Sequence, residues 1–347
     1  MARLSRVSLA LSFAILVSCA TRRSNEPTGP IGTLGEPHRA PPQHGLAESN
    51  DKLDASGPTL PTEPTRSPVP ILSAAATAEP HRAPEGMLLV PGGTFDMGAD
   101  TGGEEDEHPE HRVTLSDFWL DVTEVTVQDY TSCMKAGICA QYRRDAAKSF
   151  GAGDDGAFRR PLQPISGISW DQALTYCQYR GKRLPREAEW ERAARGDDNR
   201  RYPWGNSAPD PAIHGCFARH VGTPSGTTCD VGSYPKGAGP FGHLDLAGNV
   251  WEWMSDYYDP MAYRRPTSVS GEPGNCEQIV ETQNWLRTEK RQGFTGTNPI
   301  PTDCERVLRG GAFNYPATGL RASNRVHHPG HWRLLMAGVR CAKSTFE

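Results

Sequence analysis

The chain has 347 residues, of which 36 are Gly and 30 Pro, and only 36% are hydrophobic. So many backbone breakers exclude a helical bundle or coiled coil. Lys and Arg number 37 against 41 Asp and Glu, a net charge of -4 with no long run of either sign, so the basic stripe of a nucleic-acid-binding protein is missing.

At the N-terminus, Arg3 and Arg6 precede an apolar run, Leu9 to Val17, that is too short to span a bilayer. Leu16-Val17-Ser18-Cys19 follows at once and has the form of a bacterial lipobox. Residues 1–18 then read as a lipoprotein signal peptide and Cys19 as the acylated first residue of the mature chain. The expected partner of this end is the membrane, reached through the lipid, and the expected location is the cell envelope. Ala20 stands where an Asp would retain a lipoprotein at the inner membrane, which points to the outer membrane if the source is Gram-negative.

Residues 19–84 read as a disordered, Pro-rich tether. Between 20 and 84 there are 12 Pro and no aromatic residue, and Glu-Pro-His-Arg-Ala-Pro occurs at 36–41 and again at 79–84. Without aromatics such a segment cannot bury enough surface to offset its ordering entropy. Every Trp and Tyr lies beyond residue 100, so the folded domain is expected over 85–347.

That domain opens with strand and turn signals, Met87-Leu88-Leu89-Val90, then Pro91-Gly92-Gly93, then Thr94 to Gly98. Thr126 with Asp129 predicts a helix running to about Gly137. Ser169 with Gln172 predicts a second that stops near Gly181, and Pro185 predicts a third over 186–195, closed by Gly196. The stretch from about 260 to 305 shows weak periodicity and reads as an insertion. Once Cys19 is acylated, eight cysteines remain, an even number suited to an oxidising compartment. Short separations favour Cys133 with Cys139, Cys216 with Cys229 and Cys276 with Cys304, leaving Cys177 and Cys341. No Cys-x-x-Cys spacing exists, which favours structural disulfides over a redox or metal role.

Seven phrases then occur in order: GGTFDMG (92–98), EHPEHRVTLSDFWLDVTEVTVQDY (107–130), ISWDQALTYCQYRGKRLPREAEWERAARG (168–196), YPWGN (202–206), GNVWEW (248–253), RVLRGGAFN (306–314) and AGVRCA (337–342). Together they resemble the formylglycine-generating enzyme family, the sulfatase-modifying factor domain. The resemblance implies an α+β, C-type-lectin-like formylglycine-generating-enzyme fold with few helices, short strands and much irregular backbone. It also implies that Cys177 pairs with Cys341. Family enzymes use a pair of cysteines after the RGG phrase to bind copper and oxidise a cysteine held in Cys-x-Pro-x-Arg. Here those positions fall on Tyr315 and near Leu320, and no Cys lies between Gly311 and Arg325. Soft copper ligation and thiol exchange therefore have no thiolate at that place. A further family disulfide maps onto Ala194 and Ala322, both lacking sulfur.

The resemblance also implies a structural calcium held by the side chains of Asp245 and Glu252 and the carbonyls of Gly248 and Val250, hard oxygen ligands that suit this ion. At the other family calcium site His214 replaces an expected Asn, so that site is not expected. His327, His328 and His331 form a separate candidate metal cluster beside the groove loop. Trp190, Trp204, Trp251 and Trp253 are expected to pack rather than to form a stacking platform. Arg309, Arg321 and Arg325 are expected to orient the loop. Two functions follow from different classes: a lipid-anchored, non-catalytic module that holds an envelope protein or peptide in its groove, or an oxidase dependent on copper or iron that acts on a protein cysteine or another substrate.

Overall fold

The computed structural model describes residues 83–142, 156–220, 226–265, 274–288 and 301–345. All of them belong to the second of two units into which the chain divides, Ala74–Glu347. The signal peptide, Cys19 and nearly all of the tether lie outside the described residues, as do 266–273 and 289–300 of the insertion.

Strand β1 (Met87–Val90) pairs antiparallel with β4 (Phe118–Asp121), and β9 (Ala342–Ser344) adds to the other edge of β4. The first and last strands of the domain thus share one sheet. β2 (Gly93–Met97) pairs with β3 (His111–Leu115), and its alternation puts Phe95 and Met97 inside while Thr94 faces out. A third sheet runs β7-β6-β5-β8, made of β5 (Trp251–Tyr257), β6 (Arg306–Arg309), β7 (Val326–His328) and β8 (Ala337–Gly338). Its β5 and β8 are parallel and the other pairs antiparallel. Both faces of β5 are covered, so its first four residues are all buried, and they supply a Trp-Glu-Trp-Met run to the core.

The three helices expected from cap signals form. α1 (Val127–Lys135) starts at Thr126, whose Oγ1 accepts the Asp129 N–H at 3.1 Å. α2 (Trp170–Tyr179) starts at a reciprocal cap in which Ser169 Oγ accepts the Gln172 N–H and Gln172 Oε1 accepts the Ser169 N–H at 3.0 Å. α3 (Glu187–Arg195) begins one residue later than expected, because Arg186 is extended and acts as the cap, its N–H donating to Glu189 Oε2 at 2.8 Å. Gly196, at φ +68°, ends it.

Within the insertion the structure adds a helix that the periodicity did not disclose, α4 (Cys276–Thr288). It buries Ile279, Gln283 and Leu286, a stripe of only three residues interrupted by one amide, too short to stand out in sequence. No helix among the described residues is long and apolar enough to cross a membrane.

Every residue of α3 is buried, although five of its nine are charged. Each charge meets an opposite partner. Glu187 pairs with Arg325, Glu189 with Arg183 and Arg186, Glu191 with Arg309 and Arg195, and Arg192 with Asp197. Such burial is tolerated because each ion trades its water for a charge-assisted hydrogen bond. Four disulfides complete the frame: Cys133–Cys139, Cys177–Cys341, Cys216–Cys229 and Cys276–Cys304. They are the four pairs named from sequence.

Candidate functional site

The loop after β6 carries the stretch from Gly311 to Arg325 where the resemblance expects the cysteine pair, and two glycines make its turn. Gly310 and Gly311 sit at φ +102° and +83°. A Cβ on Gly311 would lie 2.8 Å from Leu320 Cδ2 and 2.9 Å from the Gly319 carbonyl, so the outgoing and returning legs approach too closely for any other residue. Phe313 is fully buried against Phe158, with ring centres 5.4 Å apart. Its N–H donates to the Asn249 carbonyl, and its own carbonyl accepts the Arg219 N–H at 2.8 Å. The Ala218 N–H donates to the Tyr315 carbonyl, which ties the loop to the segment beside the Cys216–Cys229 disulfide.

Tyr315 is half-buried and meets Trp251 edge-on, with ring centres 5.2 Å apart. Burial raises its phenol pKa above the usual value of 10.0. Leu320 is 1% exposed and packs with Tyr202, Phe217 and Ala247. The place expected for the first family cysteine thus holds an aromatic ring on a tryptophan edge, and the loop near the second holds an aliphatic core side chain. All eight cysteines of the described residues are in disulfides, so none of them offers a free thiol. Ala194 and Ala322, in place of the further family disulfide, are both buried in one cluster with Trp190 and Leu246.

Guanidinium groups hold the returning leg from within. Arg309 donates to the carbonyls of Ala322, Ser323 and Asn324 at 2.8 to 2.9 Å and pairs with Glu191. Arg325 grips Glu187 through two bonds of 2.7 and 2.9 Å and also donates to the Asp106 carbonyl. Arg321 pairs with Glu107, which also accepts the Ser323 hydroxyl at 2.7 Å. Glu187 is held below the usual carboxylate value by Arg325 and Arg309, against the opposing effect of its burial. The orienting role expected of the three arginines is what these bonds describe.

The tryptophans divide. Trp190, Trp251 and Trp253 are at most 2% exposed, with Trp190 Nε1 donating to Glu252 at 2.8 Å and Trp253 Nε1 to the Ile168 carbonyl. Trp204 is half-buried instead and stacks between Tyr202 and His214.

The residues implied as calcium ligands lie next to one another in the fold. Asp245, at φ +56°, accepts the Gly232 N–H at 2.6 Å. Both oxygens of Glu252 accept hydrogen bonds from Arg340, and Oε2 also takes the Trp190 N–H. A third carboxylate, unmarked in the sequence, joins them. Glu124 is 2% exposed, no N–H or hydroxyl donates to its oxygens, its carboxyl group lies against that of Asp245, and its pKa is pushed well up by burial and by the nearby charge of Asp245. Its place 121 residues from Asp245, in an ordinary Thr-Glu-Val-Thr stretch, gave no spacing signal.

The three histidines do not converge. His327 and His328 are neighbours on β7, where successive side chains face opposite ways. His327 is buried, stacks on Tyr258 and bonds Glu305 Oε2 through Nδ1 at 2.6 Å. His328 stacks on Trp332, and burial lowers its pKa to about 4. His331 is exposed. Among the described residues no three His, Cys, Asp or Glu side chains form a metal-holding group.

An α+β domain of three small sheets, with a double-glycine loop gripped by buried arginines, has the formylglycine-generating-enzyme type of fold. Residues 73–345 match the model of the family described as the sulfatase-modifying factor enzyme 1-like domain, and the chain belongs to this family. The formylglycine-generating enzyme of Thermomonospora curvata is 33% identical over 285 residues, 67% of this chain and 86% of that one. The protein of Bos taurus named inactive C-alpha-formylglycine-generating enzyme 2 is 31% identical over 220 residues, 50% of this chain and 71% of its own. Among solved structures, PvdO from Pseudomonas aeruginosa superposes with a TM-score of 0.57 at 23% identity, over 74% of this chain and 94% of PvdO, a likeness of fold.

Proposed function

We propose that this chain is a lipid-anchored envelope protein whose domain binds an envelope protein or peptide rather than oxidising one. The observation that carries the reading is that no Cys lies between Gly311 and Arg325, where the family pair is expected at Tyr315 and near Leu320, with every cysteine of the described residues already in a disulfide. A phenol held neutral by burial and an aliphatic side chain do not fit the thiolate pair that copper and a substrate cysteine need. The Cys19 lipobox supports the anchor, and the location in the envelope follows from it. The test loads the purified mature chain with copper, adds oxygen and a Cys-x-Pro-x-Arg peptide, and follows the peptide mass beside an active family enzyme. No aldehyde is expected. Conversion of the peptide would replace this reading with an oxidase.

Calcium belongs to the same proposal, as a structural ion. Three buried carboxyl groups, Glu124, Asp245 and Glu252, gather about one buried guanidinium, Arg340, and burial raises the pKa of each, so a proton or a cation must offset their charge. A divalent cation would neutralise them, and the oxygens of Glu124, which no N–H or hydroxyl reaches, fit a hard ion. Asp245, Glu124 and the carbonyls of Gly248 and Val250 would hold it, while both oxygens of Glu252 are committed to Arg340 and Trp190. Calcium is expected to raise the melting temperature and a chelator to lower it. A melting temperature indifferent to both would remove calcium from the proposal.

A further inference from the structure

The Cys216–Cys229 disulfide stands where three pieces of backbone meet the loop after β6. The Cys216 carbonyl accepts the Asn249 N–H at 2.7 Å, and the Ala218 and Arg219 N–H groups donate to the Tyr315 and Phe313 carbonyls at 2.9 and 2.8 Å. A Cβ on Gly248 would lie 2.5 Å from the Cys216 carbonyl oxygen, so these two backbones are already in contact. On the other side of the bond, the Cys229 N–H donates to Asn249 Oδ1 at 3.0 Å. Its neighbour Thr228 accepts the Gln163 side-chain amide through both its carbonyl and its hydroxyl. The disulfide is therefore the covalent link between the segment that holds the loop and the wall that carries Gln163.

The two sulfurs are not equivalent. Cys216 is 2% exposed, whereas Cys229 is half-buried and lies in the wall of a cavity of about 290 Å³ with Arg160, Arg219 and Tyr234. The Tyr234 hydroxyl is 3.6 Å from Cys229 Sγ and accepts from Arg219 Nη2 at 3.3 Å, which leaves its own proton for the sulfur. Cys216 Sγ has the Thr227 carbonyl 3.9 Å away. Once the bond is cleaved, Cys229 has a donor that suits a thiolate and Cys216 an acceptor that suits a thiol. The pairs Cys133–Cys139 and Cys177–Cys341 differ, since none of their four residues is more than 7% exposed. Cys276–Cys304 is half-buried too, but it closes the insertion.

We propose that Cys216–Cys229 is a thiol-exchange site, at which a protein dithiol reduces the bond and loosens the loop after β6. The dithiol's thiolate attacks Cys229 Sγ from the cavity. A mixed disulfide forms as the Cys216–Cys229 bond breaks, and Cys216 leaves and takes up a proton. The second thiol of the dithiol then displaces Cys229, which leaves as a thiolate facing Tyr234. Two electrons pass to this chain, the dithiol ends as a disulfide, and of its two protons one goes to Cys216 and one to solvent. What changes is the hold on Phe313 and Tyr315, whichever ligand the groove takes.

The test uses the full chain carrying Cys19→Ser, held without denaturant in graded mixtures of reduced and oxidised dithiothreitol, and in parallel with reduced thioredoxin as the protein dithiol. Free thiols are trapped by alkylation and mapped by mass. Label is expected on Cys216 and Cys229 ahead of the other six cysteines, and label first on another pair, or on all eight together, would overturn the proposal. Tyr234→Phe is expected to raise the pH at which reduced Cys229 is alkylated and, above that pH, to lower the equilibrium constant for reduction about tenfold. Values equal to the parent's would remove the Tyr234 hydroxyl from the site and the proposal with it. Hydrogen exchange then reads the loop. The Ala218 and Arg219 amides are expected to exchange faster in the reduced chain than in the oxidised one, and equal rates would show that the bond does not hold the loop. None of these readouts involves an aldehyde product or a bound peptide, so their failure is distinct from failure of the proposed function.

Discussion

Asp256, the penultimate residue of β5, is buried beside α3, where its Oδ2 accepts the Glu187 N–H at 2.8 Å and the Ser255 hydroxyl at 3.0 Å. Burial, reinforced by the negative charge of Glu187, raises its pKa from 3.8 to about 7. Because the folded value lies above the unfolded one, the folded chain keeps a proton that the unfolded chain releases. The stabilisation is complete below 3.8 and is lost as pH rises through about 7. Asp256→Asn cannot lose that proton. Its stability relative to the parent is therefore expected to rise across this window, by up to about 1.4 kcal/mol per pH unit. Urea denaturation of both proteins at a series of pH values measures it, and a difference independent of pH would refute the assignment.

At the scale of elements, α3 is the hub, and its charges do what apolar side chains do in most buried helices. Glu191 and Arg309 join α3 to β6 at zero exposure on both sides, and Arg309 then holds the three carbonyls of the returning loop. Removing one member leaves the other charged and dry. Arg309→Met is expected to cost about 3–5 kcal/mol, and adding Glu191→Leu to recover part of that loss. Thermal unfolding of the two variants decides between this and simple additivity. The cap chemistry of α1 and α2 was legible in Thr126, Ser169 and Gln172, because a cap is made by residues three apart in sequence. The burial of α3 was not, since its Glu and Arg residues would suit an exposed face equally well.

For the domain as a whole, Cys177–Cys341 is the long-range tie, joining α2 to the segment before β9 across 164 residues. Cys133–Cys139 closes only 6. If chain entropy governs, the long loop matters more. Replacing Cys177 and Cys341 together by Ala is expected to cost about 2–5 kcal/mol, and replacing Cys133 and Cys139 distinctly less. Denaturant midpoints of the two double variants test the order, and equal losses would point to native-state packing instead.

Order along the chain was enough to establish the family, the three capped helices and the lack of any Cys between Gly311 and Arg325. Those features depend on residues close in sequence or on motifs met in a set order. The Cys177–Cys341 pairing came from family likeness rather than from spacing. Tertiary structure decided which charges are buried and with whom. It brought Glu124 to Asp245 and Glu252 and set His327 and His328 on opposite faces of β7. The physical reason is common to all of these. A hydrogen bond at a helix start is local, whereas desolvation and charge pairing depend on partners that only the folded chain brings together.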